Sequence, residues 1–187
     1  YFDYMPNLKY VYLSNNRIIN IHRNAFDNLE KLENLFLDQN SIKLLDNRLF
    51  NSIRILNLSD NEMTSISSGY FSNIKIENII LNSNLIEKIE ENSFVNIFEM
   101  FSLDLNSNNL SYISNKFYNF LNATKKFKPM FYFFNLSHNK LIDLDFLNNI
   151  YLNQLKYLDL SYNLIKFLDR TNLKNLASLE LLYLSYN

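Results

Sequence analysis

The side chains able to do chemistry are few and scattered. There is no cysteine, so the chain offers no thiolate nucleophile, disulfide or zinc–sulfur site. The two histidines, His22 and His138, lie far apart, whereas a metal site or a base–nucleophile pair needs its members within a few ångströms. A single glycine leaves no glycine-rich loop to cradle a phosphate. With Asp+Glu 19 against Lys+Arg 18, the net charge is −1, and nothing attracts nucleic acid or an anionic membrane over long range. The motifs with a defined chemistry are four glycosylation sequons: Asn57-Leu58-Ser59, Asn109-Leu110-Ser111, Asn122-Ala123-Thr124 and Asn135-Leu136-Ser137.

The elements that must position these residues follow from another set of asparagines. Asn16, Asn40, Asn61, Asn84, Asn108, Asn139, Asn163 and Asn187 are each preceded by apolar residues eight, five and three positions earlier. Examples are Leu8-Val11-Leu13-Asn16, Leu32-Leu35-Leu37-Asn40 and Leu155-Leu158-Leu160-Asn163. The intervals run 24, 21, 23, 24, 31, 24 and 24, which is the frame L-x-x-L-x-L-x-x-N-x-L of a leucine-rich repeat. Alternation within each frame predicts one short strand per repeat, near 10–13, 34–37, 55–58, 78–81, 102–105, 133–136, 157–160 and 181–184. Stacked in parallel, they build an α/β solenoid: a horseshoe with a concave parallel sheet and an irregular, short-helical convex side. It has about eight repeats in a single array over 1–187. The asparagine sits where the chain leaves the strand, and its amide can satisfy buried backbone groups there and pair with its stacked copies. The ladder is therefore structural and receives no catalytic role.

After each ladder asparagine comes a second apolar signature, Ile18, Ile21, Phe26 and Leu29 in repeat one and Ile86, Ile89, Phe94 and Ile97 in repeat four. Phe50 and Phe71 hold the matching place in repeats two and three, and Leu173 in repeat seven. This extended frame resembles the "typical" subfamily of animal extracellular leucine-rich-repeat proteins. Toll-like receptors, chaoptin-type adhesion proteins and Slit-like guidance proteins belong to it. The resemblance implies an extracellular, cell-surface ectodomain that recognises a protein ligand or partner ectodomain, or a second copy of itself. The chain's own residues, with balanced charge, no long apolar window and no metal or phosphate motif, add the expectation of no catalysis, cofactor or metal, no nucleic-acid partner and no membrane insertion by this segment. The roles the resemblance leaves open are an innate-immune or developmental receptor and an adhesion protein. A cysteine-free array also suits a cytoplasmic scaffold. The chain begins and stops within a repeat, which predicts a piece of a longer, capped protein.

The frame fixes which strand residues face outward. One row reads Tyr12, Phe36, Asn57, Ile80, Asp104, Asn135, Asp159 and Tyr183, and its neighbour Tyr10, Asn34, Ile55, Asn78, Ser102, Phe133, Tyr157 and Leu181. Tyr132, Phe133, Tyr157, Asp159, Tyr162, Tyr183 and Tyr186 gather toward repeats six to eight, and are the candidate ligand-binding residues. Large aromatics on an open face suit protein recognition, because they offer contact area at little rotamer cost. Asp104 and Asp159 share a row but are separated by Asn135, about 10 Å apart by strand spacing, too wide for a proton-sharing dyad. We read them as solvated polar positions. Two sequons, at Asn57 and Asn135, are by-products of the repeat itself. The 31-residue interval holds an insertion near 122–130 with Lys125, Lys126 and Lys128. It reads as a tolerated surface loop, and its Asn122 is the strongest glycan acceptor.

Overall fold

The computed structural model describes residues 2, 4–22, 24–45, 52–97, 99–120 and 130–187. Expectations placed on Phe50, on Asn122 and on the insertion through residue 129 lie outside these residues. In chain order the strands are β1 (Tyr10–Tyr12), β2 (Asn34–Phe36), β3 (Ser52–Asn57), β4 (Ser65–Ile66), β5 (Lys75–Ile80), β6 (Lys88–Ile89), β7 (Phe94–Val95), β8 (Ser102–Asp104), β9 (Tyr112–Ile113), β10 (Tyr118–Asn119), β11 (Phe133–Asn135), β12 (Tyr157–Asp159) and β13 (Leu181–Tyr183). Eight of them form one parallel sheet in the order β1-β2-β3-β5-β8-β11-β12-β13. The opposite side carries two small parallel sheets, β4-β6-β9 and β7-β10, and two short 3-10 segments, Asp145–Asn148 and Ile150–Leu152. The fold is a leucine-rich-repeat solenoid with little helix.

Pairing is in frame throughout, so Tyr12 lies opposite Phe36, Phe36 opposite Asn57, Asn135 opposite Asp159 and Asp159 opposite Tyr183. A slip of one residue would turn every buried leucine outward, and this holds the register. The central strand residues Leu35, Leu56, Ile79, Leu103, Phe134 and Leu158 are all fully buried. β3 and β5 start three residues before their predicted positions, because Ile53 pairs with Ile76 at the first apolar place of the frame, where β-branched side chains favour extended backbone.

Each ladder amide ties two repeats together. Asn84 Nδ2 donates to its own Leu81 and Asn82 carbonyls and to Leu58 of the preceding repeat, at 3.2, 3.3 and 2.9 Å. Its Oδ1 accepts the Met63 N–H at 3.0 Å. The same set recurs at Asn40, Asn61, Asn108, Asn139 and Asn163. These partners are backbone groups, so the expected amide-to-amide pairing is corrected. A carbonyl left bare by one repeat is claimed by the next repeat's asparagine before a neighbouring side chain can reach it. Just before every ladder asparagine the chain turns left-handed, with φ from 53° to 60° at Asn15, Gln39, Asp60, Ser83, Ser107, His138, Tyr162 and Tyr186. L-residues pay roughly 1–2 kcal/mol for that conformation, least for Asn and Asp.

Behind the sheet, Phe71 stacks on Phe94 at 5.3 Å, and Phe94 meets the edge of Phe117 at 6.1 Å. Phe117, Tyr118, Phe131 and Phe134 then form an aromatic core under repeats five and six. Tyr118 is fully buried and donates to the Ile97 carbonyl at 3.1 Å, with burial holding its phenol far above the usual range. Tyr118 is structural, and it stands ten residues after Asn108, the place that Phe26, Phe71 and Phe94 hold after their own ladder asparagines.

Candidate functional site in the outward rows of the sheet

Five side-chain rows run across the sheet. The row at the start of each strand reads Lys9, Glu33, Arg54, Glu77, Phe101, Tyr132, Lys156, Glu180. Exposed ion pairs link its ends, Lys9–Glu33 at 2.7 Å and Lys156–Glu180 at 2.8 Å, while Phe101 stacks on Tyr132 at 5.9 Å in its middle. Tyr132 therefore packs toward repeat five, one row away from Phe133 and Tyr157 and further from the other predicted aromatics.

The next row carries Phe133, Tyr157 and Leu181 in its last three repeats. Phe133 and Tyr157 lie nearly parallel with ring centres 4.4 Å apart, and Tyr157 tilts against Tyr183 at 5.5 Å. A second column stands at the left-handed turn, with His138 on Tyr162 at 4.1 Å and Tyr162 on Tyr186 at 4.4 Å, interplanar angles 10° and 13°. Tyr162 and Tyr186 are 44% and 73% exposed, although their backbone conformation favours small polar residues, which repeats one to five supply. Between the columns lie Asn135, Asp159 and Tyr183 in one row and Ser137, Ser161 and Ser185 in the next. The structure thus brings together Phe133, Tyr157, Asp159, Tyr162, Tyr183 and Tyr186.

The polar members of the middle row have local work that the sequence reading missed. Each turns an Oδ1 onto the N–H two residues on, where the strand ends. Asn57 caps Ser59 at 3.0 Å, Asp104 caps Asn106 at 3.0 Å, Asn135 caps Ser137 at 3.1 Å and Asp159 caps Ser161 at 2.9 Å. To the reading of Asp104 and Asp159 as solvated polar positions the structure adds a turn acceptor, Oδ1 in each. The preference of Asn and Asp for such turns is the signal that could have found this. Asp159 Oδ2 accepts from the Tyr157 hydroxyl at 3.4 Å, and burial followed by the Asp159 charge raises the Tyr157 phenol above its ordinary range. Tyr157 remains a donor at neutral pH.

The sequons divide on the same geometry. Asn57 and Asn135 also accept from the hydroxyls of Ser59 and Ser137, and Asn57 Nδ2 donates to Asp38 at 3.1 Å. Asn109 is half-buried just past the ladder turn, and its side chain makes no hydrogen bond among the described residues.

His22 and His138 stay apart, and among the described residues no group of three His, Asp or Glu could hold a metal ion. A notch of about 280 Å³ on the opposite side is lined mainly by amides and tyrosines, with Lys116 its one charged residue. No described helix is long and apolar enough to cross a membrane.

A parallel sheet laced by backbone-bonding asparagines defines a leucine-rich-repeat recognition module. The chain matches the leucine rich repeat family model over residues 1–42 and 51–110, more than half its length, and it belongs to that family. It is similar to mouse keratocan, 26% identical over 100% of this chain and 58% of keratocan, and to human lumican, 25% identical over 97% and 65%. It therefore spans about three-fifths of these relatives, which are secreted extracellular proteins. Among solved structures it resembles the TLR13–ssRNA13 complex, with a TM-score of 0.81 and 24% identity over 98% of this chain and 25% of that one. That likeness concerns the fold alone.

Proposed function

We propose that the chain is a non-catalytic recognition segment of an extracellular leucine-rich-repeat receptor, and that repeats six to eight bind a protein partner through Phe133, Tyr157, Asp159, Tyr162, Tyr183 and Tyr186. The observation that carries this is the pair of stacked, solvent-open aromatic columns flanking one strip of the sheet. Stacking pre-organises the rings, so little rotamer freedom is lost when a partner covers them. The partner is a second polypeptide, either a separate ectodomain or another copy of this one. TLR13 was solved with single-stranded RNA. In this chain the four outward rows from Tyr10–Leu181 to Asn15–Tyr186 hold no lysine or arginine, which disfavours a phosphate backbone there. The relatives' secretion and the sequons favour the cell exterior. Asn109 is the described sequon best placed for a glycan, whereas a glycan on Asn135 would fill the strip between the columns.

The test is surface plasmon resonance of the full-length protein against a panel of extracellular domains, itself included. Tyr157→Ala with Tyr183→Ala should abolish binding to a partner that the native protein captures, while circular dichroism stays native. Undiminished binding by the double variant removes the reading. An adhesion role, the second reading, is favoured by self-capture alone.

A further inference from the structure

The recognition strip has a charge pattern that narrows its partner. Across the four outward rows stand Asp38, Asp60, Asp104 and Asp159, with no lysine or arginine to offset them, although the chain carries 18 such residues. The bases sit instead at strand starts and on the far side, several paired with acids. Asp38 is already engaged by Ser14 and Asn57. Asp104 spends Oδ1 on Asn106, and its Oδ2 has no partner among the described residues. Asp159 Oδ2 has only the long bond from Tyr157.

The two columns also end at a step. Phe133 pairs across to Ser102, and His138 stands above Ser107, so the ring faces turned away from Tyr157 and Tyr162 overlook small residues. The shelf below holds Ser102, Asp104, Asn106 and Ser107. A cation there would meet the open face of Phe133 and the spare oxygen of Asp104, two attractions acting at one point. Two strands further on, about 10 Å away, Asp159 offers a second anchor between the tyrosines.

We infer that the strip takes a cationic, extended segment of its protein partner, with two lysines or arginines three residues apart seated at Asp104 and Asp159. A polyproline-type helix places residues i and i+3 on one side at roughly 9 Å, close to the carboxylate spacing. This inference rests on the recognition reading above and supplies the partner's chemistry.

Two fluorescein-labelled peptides test it on the full-length protein by fluorescence polarisation, one with a Lys-Pro-Pro-Lys core and one with Glu-Pro-Pro-Glu. The lysine peptide should bind at least roughly tenfold more tightly at low salt and weaken as salt rises. Asp104→Asn with Asp159→Asn should remove that advantage, in protein made in a host without N-glycosylation, because the second change completes an N-x-S sequon with Ser161. Asparagine keeps the turn acceptor, as Asn57 and Asn135 do in the same row, so the fold is preserved. Binding of the lysine peptide that ignores both substitutions overturns the inference. So does equal binding of the glutamate peptide or of oligouridine RNA. If the lysine peptide fails to bind while Tyr157→Ala with Tyr183→Ala still abolishes partner capture, the cationic assignment falls and the recognition face stands. If the peptide binds through the carboxylates while that alanine pair leaves capture intact, the cation site stands and the recognition reading falls.

Discussion

Repeats three to five and repeats six to eight share a backbone and differ on their surface. Both have parallel strands in frame, the same asparagine brackets and a left-handed residue near φ 55° before each ladder position. In repeats three to five the left-handed residues are Asp60, Ser83 and Ser107, small or locally hydrogen-bonding types that tolerate this geometry. In repeats six to eight they are His138, Tyr162 and Tyr186, whose rings gain nothing from the turn itself and stack on one another above it. Stacking is worth about 0.5–1.5 kcal/mol per pair, similar to the backbone penalty, so it can sustain the aromatics without giving the fold a reason to choose them. A scaffold that repeats identically makes such a local departure readable as function.

The largest effect should ignore the division. Asn84→Ala and Asn163→Ala each strip a buried N–H and several carbonyls of their partner. Each should lower unfolding stability by about 3 kcal/mol or more, from roughly 1–3 kcal/mol per orphaned group. Urea melts read this, and a large difference between the two variants would break the claim that the scaffold is uniform. Next, Tyr157→Ala with Tyr183→Ala should weaken partner binding by roughly 30-fold or more, as loss of a central aromatic anchor does. Ile80→Ala, in repeat four, should change binding by less than about threefold, which surface plasmon resonance can compare side by side.

A third contrast separates binding from folding. Tyr162→Asn exchanges ring stacking for a residue suited to φ 56°, so stability should stay within about 1 kcal/mol while binding drops. A large loss of stability would show that the column is structural after all. The smallest effects lie at the strand starts. The hydrogen bond between Lys9 and Glu33 raises the Lys9 pKa and lowers that of Glu33. The pair's contribution should be present above the ordinary glutamate range and fade as acid passes the lowered Glu33 value. At the other limb it should fade as pH rises through the raised Lys9 value. Glu33→Gln should flatten both limbs in pH-dependent melts, and should leave partner binding unchanged.

Much of this was legible in the sequence, because a solenoid turns spacing into geometry. Once Asn84 and Asn108 set the frame, Ile80 must lie beside Asp104, and the structure pairs them. The rest was hidden for local reasons. The capping by Asp104 and Asp159 depends on the backbone direction just past each strand, which apolar spacing does not encode. Tyr132 looks like its neighbour Phe133 in sequence, but one residue of strand turns it to Phe101 and another row. Tyr118 and Phe131 fill regular places of the frame, ten residues after Asn108 and eight before Asn139, whereas Phe117 lies off it, so its burial follows from packing under repeats five and six. The by-product reading of Asn135 rests on the repeat itself. Glycopeptide mass spectrometry should find Asn135 unmodified if the strip is open.

The most direct measurement places a photo-crosslinking benzoylphenylalanine at position 162 or at position 83 of the full-length protein, at equivalent turns in repeats seven and four. Illumination with the bound partner should give a crosslinked product from position 162 and little from position 83, and excess Lys-Pro-Pro-Lys peptide should suppress it. Equal crosslinking at both positions, or crosslinking from position 83 alone, would contradict a recognition face centred on repeats six to eight.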